Sequence, residues 1–215
     1  MKPTAMFTLC WLDGEGRVER NLKYIWYYRK LKKILGFERF VLADNASSSA
    51  SMKKFLDGLI DTSDVHFIRY DEHLARRGGF DYPYCWRGME ALKIVTDRYD
   101  KVFCIDSDYF ICTERLANYL RDCNTGWEAL WSFKYQFPEA ACHVLNKDSF
   151  HIIKNEPDWM KWNGKVMETS LPFTSICRDF NTDRYGEQNL EQTKTVDAYG
   201  QCPLERGIIY EKFKT

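Results

Sequence analysis

The sequence predicts an α/β fold: a mostly parallel central sheet flanked by helices on both faces, then a small mixed-strand half. Three observations predict it. Short apolar runs of strand length alternate with segments whose apolar residues recur at helical spacing, in the order β-α-β-α-β-α-β through residue 106. Those runs are apolar on both sides, as strands buried between two helical layers are. The chain has 215 residues, a size that suits one domain with its own core.

The first run, TAMFTLCWL at 4–12, is a strand. After the turn-like DGEG, Val18, Leu22, Ile25, Tyr28, Leu31 and Leu35 recur at helical spacing, and Gly36 stops the helix. RFVLAD at 39–44 is the second strand, and NASSSAS offers several N-cap residues to a short helix marked by Met52, Phe55, Leu56 and Leu59. VHFIRY at 65–70 is the third strand. A loop over 71–84 contains Gly78 and Gly79, and Trp86, Met89, Leu92 and Val95 mark the next helix. KVFCID at 101–106 is the fourth strand.

The second half is less regular. Leu116, Tyr119 and Leu120 mark a short helix, EALWSFK (128–134) and ACHVLN (141–146) read as strands, and a helix is expected near 147–155. Residues 156–184 are Trp-rich and irregular; a last helix is expected near Tyr185 and a strand over GIIYEKF at 207–213. No repeat, linker or low-complexity segment divides the chain, so residues 1–215 are read as a single domain.

Composition narrows the function. Lys plus Arg and Asp plus Glu both number 31, which argues against a protein that wraps nucleic acid. No apolar stretch has the length of a membrane span, and the opening MKPTAMFTLCWLD breaks at Asp13, too early for a signal peptide. Of eight cysteines, Cys10, Cys104, Cys112 and Cys142 lie in apolar runs and none forms C-x-x-C. Reduced, buried thiols in a cytoplasm are expected, a host's cytoplasm if the chain is viral or from a phage.

In open parallel sheets, ligands bind beyond the carboxyl ends of the strands. Three polar segments fall there: 13–16, 44–49 and 106–108. In the last, VFCIDSDYFIC places two aspartates one residue apart in an apolar run. Continued strand geometry would aim Asp106 and Asp108 to one side and Ser107 to the other. Two hard oxygen ligands on one side suit Mg²⁺ or Mn²⁺ shared with water and phosphate oxygens.

Taken in order, VLADNASS (41–48), LARRGGFDYPYCWRGMEAL (74–92) and FCIDSDYF (103–110) resemble the GT-A-fold glycosyltransferases of the D-x-D type, which use nucleotide-sugar donors. The resemblance implies a GT-A, Rossmann-like sheet, with residues 1–110 binding the nucleotide-sugar and 111–215 binding the acceptor. It implies that Cys10, Trp11, Asp44 and Ser107 lie along the donor, with Asp44 beside the base and Trp11 able to stack on it. Arg76, Arg77, Gly78 and Gly79 are implied near the diphosphate and sugar, and Asp106 and Asp108 as holders of Mn²⁺ or Mg²⁺. The implied donor is a nucleoside-diphosphate sugar, UDP-linked by preference, and the acceptor a glycan or another hydroxyl compound. A cation and nearby arginines would neutralise charge on the departing diphosphate.

RYGEQNLEQ (184–192) resembles the place where inverting members carry an acidic pair opening a helix. Here the pair is Glu187 and Gln188, and glutamine cannot accept the proton. Either Glu187 is the base, or Asp183 or Asp179 is, or the enzyme retains configuration and needs none there. His143 is a further metal-ligand candidate, since some members use a downstream histidine, against the simpler reading of a core imidazole. Trp159, Trp162 and Phe173 are core residues or an acceptor platform. Two alternatives stay open: a sugar-phosphate nucleotidyltransferase, for which DGEGR (13–17) is a faint match opposed by Asp13 and Glu15, and a non-catalytic carbohydrate-binding domain.

Overall fold

The computed structural model describes residues 3–75, 78–79, 81–133, 135–180 and 183–185. Four strands, Thr4–Cys10 (β1), Arg39–Asp44 (β2), Val65–Arg69 (β3) and Lys101–Ile105 (β4), pair in parallel. Phe137–Asn146 (β7) runs antiparallel to β4, Trp127–Ser132 (β6) antiparallel to β7, and Ser175–Cys177 (β8) parallel to β6. The spatial order is β3-β2-β1-β4-β7-β6-β8. The chain therefore winds outward from β1 to β3, then crosses back to lay β4 on the other side of β1. That reversal is a topological switch point, where an open α/β sheet leaves a crevice at the strand ends.

Three helices, Glu15–Leu35 (α1), Ser49–Gly58 (α2) and Glu114–Asp122 (α4), cover one face; Tyr24, Tyr28, Leu31, Phe55, Leu116 and Leu120 pack there on Phe40 and Phe103. Pro83–Thr96 (α3) and Phe150–Asn155 (α5) cover the other, with Trp86, Leu92 and Ile153 against Phe7, Val41 and Val102. The ends follow local chemistry. Gly36 closes α1 in the left-handed region at φ 69°, where a side chain would be strained. Ser48 caps α2 by accepting from the Ser51 N–H, Thr113 caps α4 by accepting from the Leu116 N–H, and Pro83 stands in the first turn of α3.

Differences from the sequence reading are mostly in the second half. Strand β7 starts at Phe137, earlier than 141, with a bulge opposite it between Ala129 and Trp131. The helix expected at 147–155 begins as a 3₁₀ turn, Lys147–Ser149, before α5. The irregular Trp-rich stretch holds a 3₁₀ turn at Trp159–Trp162, the one-turn helix Met167–Ser170 (α6) and β8. Arg184–Tyr185 is a strand (β9) pairing with Phe110–Ile111 (β5), not the start of a helix. The remainder of that expected helix and the strand at 207–213 lie outside the described residues. No helix among the described residues is long and apolar enough to cross a membrane, and their cysteines are free.

Candidate active site

A cavity of about 790 Å³ opens at the switch point, within the ~300–1,000 Å³ common for small-molecule and cofactor sites. Its walls are the end of β1 (Cys10, Trp11), the residues after β4 (Asp106, Ser107, Asp108), the start of α3 (Tyr84, Cys85) and α6 (Glu168).

The D-S-D segment is not strand. Strand β4 ends at Ile105, the Asp106 N–H donates to the Ala141 carbonyl at 3.0 Å, and the Tyr109 N–H closes a turn onto the Asp106 carbonyl at 2.9 Å. Pleat alternation therefore stops one residue before the motif, and the turn directs the aspartates. Both line the cavity, with Asp106 exposed, the Asp108 side chain 47% exposed and Ser107 buried between them. Arg20 Nη1 stands 4.0 Å from Asp108 Oδ2. Two carboxylates open to water on one cavity lip are a donor set that fits a hard divalent cation.

His143 lines the same cavity but two residues deeper than that turn, paired with Cys104. Its Nδ1 accepts from Trp127 Nε1 at 2.9 Å, and burial pushes its pKa down to about 3, so it is a neutral, committed imidazole. Among the described residues, no three His, Cys, Asp or Glu side chains come together as a metal-holding group.

Cys10 is a buried cavity-wall thiol whose pKa burial raises strongly. Trp11 stacks on His73 with ring centroids 4.1 Å apart, and the Arg17 guanidinium lies 4.2 Å from its ring centroid. Asp44 is fully buried and does not line the cavity; its carboxylate accepts from the Ser47 N–H and hydroxyl and from Arg69 Nε at 3.3 Å. It shapes the turn after β2, and the neighbouring Asn45 reaches the cavity instead. Asn45 Nδ2 donates to the Leu74 carbonyl and Oδ1 accepts from the Leu74 N–H and from Arg87, which fastens the β3–α3 loop to the end of β2. In that loop Gly78 and Gly79 adopt φ of 138° and 53° in a turn closed by the Asp81 N–H on the Gly78 carbonyl, away from the cavity wall. Arg76 and Arg77 lie outside the described residues.

The acceptor-side candidates separate. Asp183 does not line the cavity: it accepts from Arg115 and from Thr113 Oγ1, while its own carbonyl accepts from the Cys112 N–H. Burial opposes its ionisation, but Arg115 and Thr113 outweigh it and hold the carboxyl below the usual range. Asp179 is exposed and also off the cavity, and Glu187 and Gln188 lie outside the described residues. Trp159 and Trp162 pack on Trp86, and Phe173 on Trp127, as core; none of the three lines the cavity.

No known family model matches the chain and no curated protein is significantly similar to it in sequence. Solved structures are similar in fold. A galactosyltransferase, LgtC, solved with donor and acceptor sugar analogues, superposes with a TM-score of 0.52 at 12% identity over 96% of this chain and 83% of that one. The 4-diphosphocytidyl-2C-methyl-D-erythritol synthase of Anaerococcus prevotii gives 0.51 at 11% identity over 92% and 96%. HddC of Yersinia pseudotuberculosis gives 0.50 at 10% identity over 99% and 100%.

The fold is GT-A, Rossmann-like, and these solved structures share it.

Within this GT-A fold several cavity residues were not singled out from sequence. Arg17 and Arg20 are three apart on α1 and both face the cavity, a spacing visible in DGEGRVER once the helix start is known. Glu168, Lys165 and the stacked pair Tyr135 and Phe137, 5.5 Å between centroids at 10°, line the cavity too. Irregular surroundings gave these four no periodicity to betray them. One cavity thus brings together the Trp11–His73 stack, Arg17 and Arg20, the Asp106 and Asp108 carboxylates, the Tyr135–Phe137 stack and Glu168, in a volume that suits a small-molecule or cofactor ligand.

Proposed function

We propose that the chain is a metal-dependent glycosyltransferase that moves a sugar from a nucleoside-diphosphate sugar, UDP-linked by preference, to the hydroxyl of a glycan or similar acceptor. The observation that carries this reading is the placement of Asp106 and Asp108 on a turn at the switch point, facing one cavity with Arg17 and Arg20. Asp106 and Asp108 would hold Mn²⁺ or Mg²⁺, which when bound neutralises charge on the departing diphosphate. Arg17 and Arg20 add fixed positive charge at the same lip, where it favours a diphosphate more as the bond to the sugar breaks. Trp11 and His73 form a flat pair against which a nucleobase can lie. The neutral walls, buried Cys10 and His143 and half-buried Cys85, line the cavity without bringing competing charge.

Titration with UDP, with and without Mn²⁺, tests the reading. Tighter UDP binding with Mn²⁺, lost in Asp108→Ala, and release of UDP from UDP-sugars are the expected results. Metal-independent binding, or none, overturns it.

A sugar-phosphate nucleotidyltransferase is the second reading. The acids that opposed it are turned away: Asp13 accepts from the Ser48 N–H at 2.7 Å, Glu15 pairs with Lys54 at 2.5 Å, and neither lines the cavity. Pyrophosphate release from a nucleoside triphosphate and a sugar 1-phosphate would select this reading. UDP binding with neither reaction would leave a carbohydrate-binding domain.

A further inference from the structure

The described acids lining the cavity are Asp106, Asp108 and Glu168. With the two aspartates placed as the metal pair, Glu168 is left without an assignment. It sits on α6, which packs on β7, and β7 is also the strand whose Ala141 carbonyl anchors the Asp106 N–H. One strand therefore sets the spacing between the metal turn and this carboxyl. Cys85, on the α3 wall, is close enough to both that the charges of Asp106 and Glu168 bear on its thiol, which burial pushes up to about 12.

Glu168 has no ion pair and no side-chain hydrogen bond to another described residue. The nearest cation in sequence, Lys165, is drawn instead over the Trp162 ring, 4.0 Å from its centroid. A carboxyl held in a cavity wall without a partner costs stability unless it has a use. Burial raises its pKa above the ordinary glutamate value, which makes it a better proton acceptor than a solvated carboxylate. His143, the other basic group of the wall, has its Nδ1 occupied by Trp127. Asp183, an earlier candidate, is pinned by Arg115 away from the cavity. In the same cavity, the stacked Tyr135 and Phe137 offer the apolar face of a sugar ring a flat wall.

Building on the glycosyltransferase reading, we propose that Glu168 is the catalytic base: its carboxylate takes the proton of an acceptor hydroxyl presented against Tyr135 and Phe137. The acceptor oxygen then forms its bond to the anomeric carbon. The bond from that carbon to the diphosphate oxygen breaks, with its electron pair leaving on the diphosphate. Attack on the face of the anomeric carbon away from the departing diphosphate inverts the anomeric configuration. The proton passes from Glu168 to solvent through the open cavity.

The test uses the full chain with Mn²⁺ and a panel of UDP-glucose, UDP-galactose and UDP-N-acetylglucosamine, with water as the acceptor so that no acceptor need be known. Wild type is expected to release UDP and, from these α-linked donors, to give first the β-anomer of the free sugar, read by NMR. Glu168→Gln is expected to lower kcat about 100-fold or more, with the donor KM and Mn²⁺-dependent UDP binding within about twofold of wild type. Its melting temperature should be no lower than wild type, because a neutral amide replaces a desolvated acid. Turnover of Glu168→Gln within about threefold of wild type, or first release of the α-anomer, overturns the assignment and leaves the transferase reading standing. Absence of Mn²⁺-dependent UDP binding in wild type overturns both.

Discussion

Tyr28, in the middle of α1, donates its hydroxyl to the carbonyl of Tyr109 at 3.2 Å, the residue that closes the D-S-D turn. One helical turn earlier, Tyr24 donates to the carbonyl of Ile105, also at 3.2 Å, on the other shoulder of the same turn. Both tyrosines are fully buried, and burial raises their pKa values strongly, so they remain neutral donors. Helix α1 thus grips both ends of the segment that presents Asp106 and Asp108. Tyr24→Phe and Tyr28→Phe each remove one hydroxyl and leave the ring packing in place. Each is expected to cost about 1 kcal/mol in urea unfolding and, together, to weaken Mn²⁺-dependent UDP binding. Unchanged UDP binding in the double variant would show that the turn holds its shape without the two hydroxyls.

Asp108 itself is expected to behave differently from its supports. Its side chain is half exposed and its contact with Arg20 is at 4.0 Å, a loose surface pair. Asp108→Ala should therefore change unfolding free energy by no more than about 0.5 kcal/mol while removing the metal dependence of UDP binding. Arg20→Ala should weaken UDP binding in both the presence and absence of metal, because its charge acts on the diphosphate directly. Calorimetric titration of the two variants separates these outcomes.

His143 makes the fold acid-sensitive in a defined window. Its folded pKa is pushed down to about 3 by burial, below the ~6.5 of an unfolded histidine. The unfolded state therefore binds the proton first as pH falls. The contribution is fully present above pH ~6.5 and is lost progressively toward pH 3. Asp64 and Asp183, whose carboxyls are held low by Arg29 and Lys32 and by Arg115 and Thr113 against the cost of burial, add their own loss only below the ordinary carboxylate pKa of ~3.9. His143→Asn keeps an acceptor for Trp127 but cannot titrate. Between pH 6.5 and 4.5 its melting temperature is expected to fall less steeply than that of wild type; parallel curves would remove His143 as the cause.

How much of this was legible depended on whether an element carried a period or a stop signal. RFVLAD matched β2 residue for residue because an apolar run ends there in a turn-forming Asp-Asn. The helix ending at Gly36 was equally readable. Asp106 and Asp108 do share a cavity wall, but a turn and not pleat alternation orients them, because the strand ends at Ile105. Asp44 was read as a ligand-facing acid, while its neighbours Ser47 and Arg69 supply partners that keep it inside. Glu168 was unreadable because the one-turn helix Met167–Ser170 has no periodicity, and only its packing on β7 brings it to the cavity that Asp106 lines. Trp159 and Trp162 show the same limit in reverse: an aromatic cluster looks alike in sequence whether it faces a ligand or Trp86.

The second half is tied to the D-S-D turn by one buried ion pair. Glu139 on β7 and Arg184 on β9 are both fully buried, with Arg184 Nη2 2.9 Å from Glu139 Oε1. Tyr109 Oη donates to the other oxygen of Glu139 at 2.6 Å, and Arg184 also donates to the Phe180 and Trp131 carbonyls at 2.6 and 2.7 Å. Of these partners, Glu139 lies on β7, which lines the cavity, and Tyr109 closes the D-S-D turn, so the pair fastens β9, β6 and Phe180 to both. Removing one charge leaves the other buried and uncompensated. Glu139→Ala or Arg184→Ala is therefore expected to cost about 3–5 kcal/mol in chemical denaturation. The double variant Glu139→Leu with Arg184→Met should be less destabilised than either single one, because the two charges are removed together. If the single variants unfold like wild type, the pair does not hold the halves together. If the double variant is stable but loses Mn²⁺-dependent UDP binding, the pair serves the geometry of the turn more than the stability of the fold.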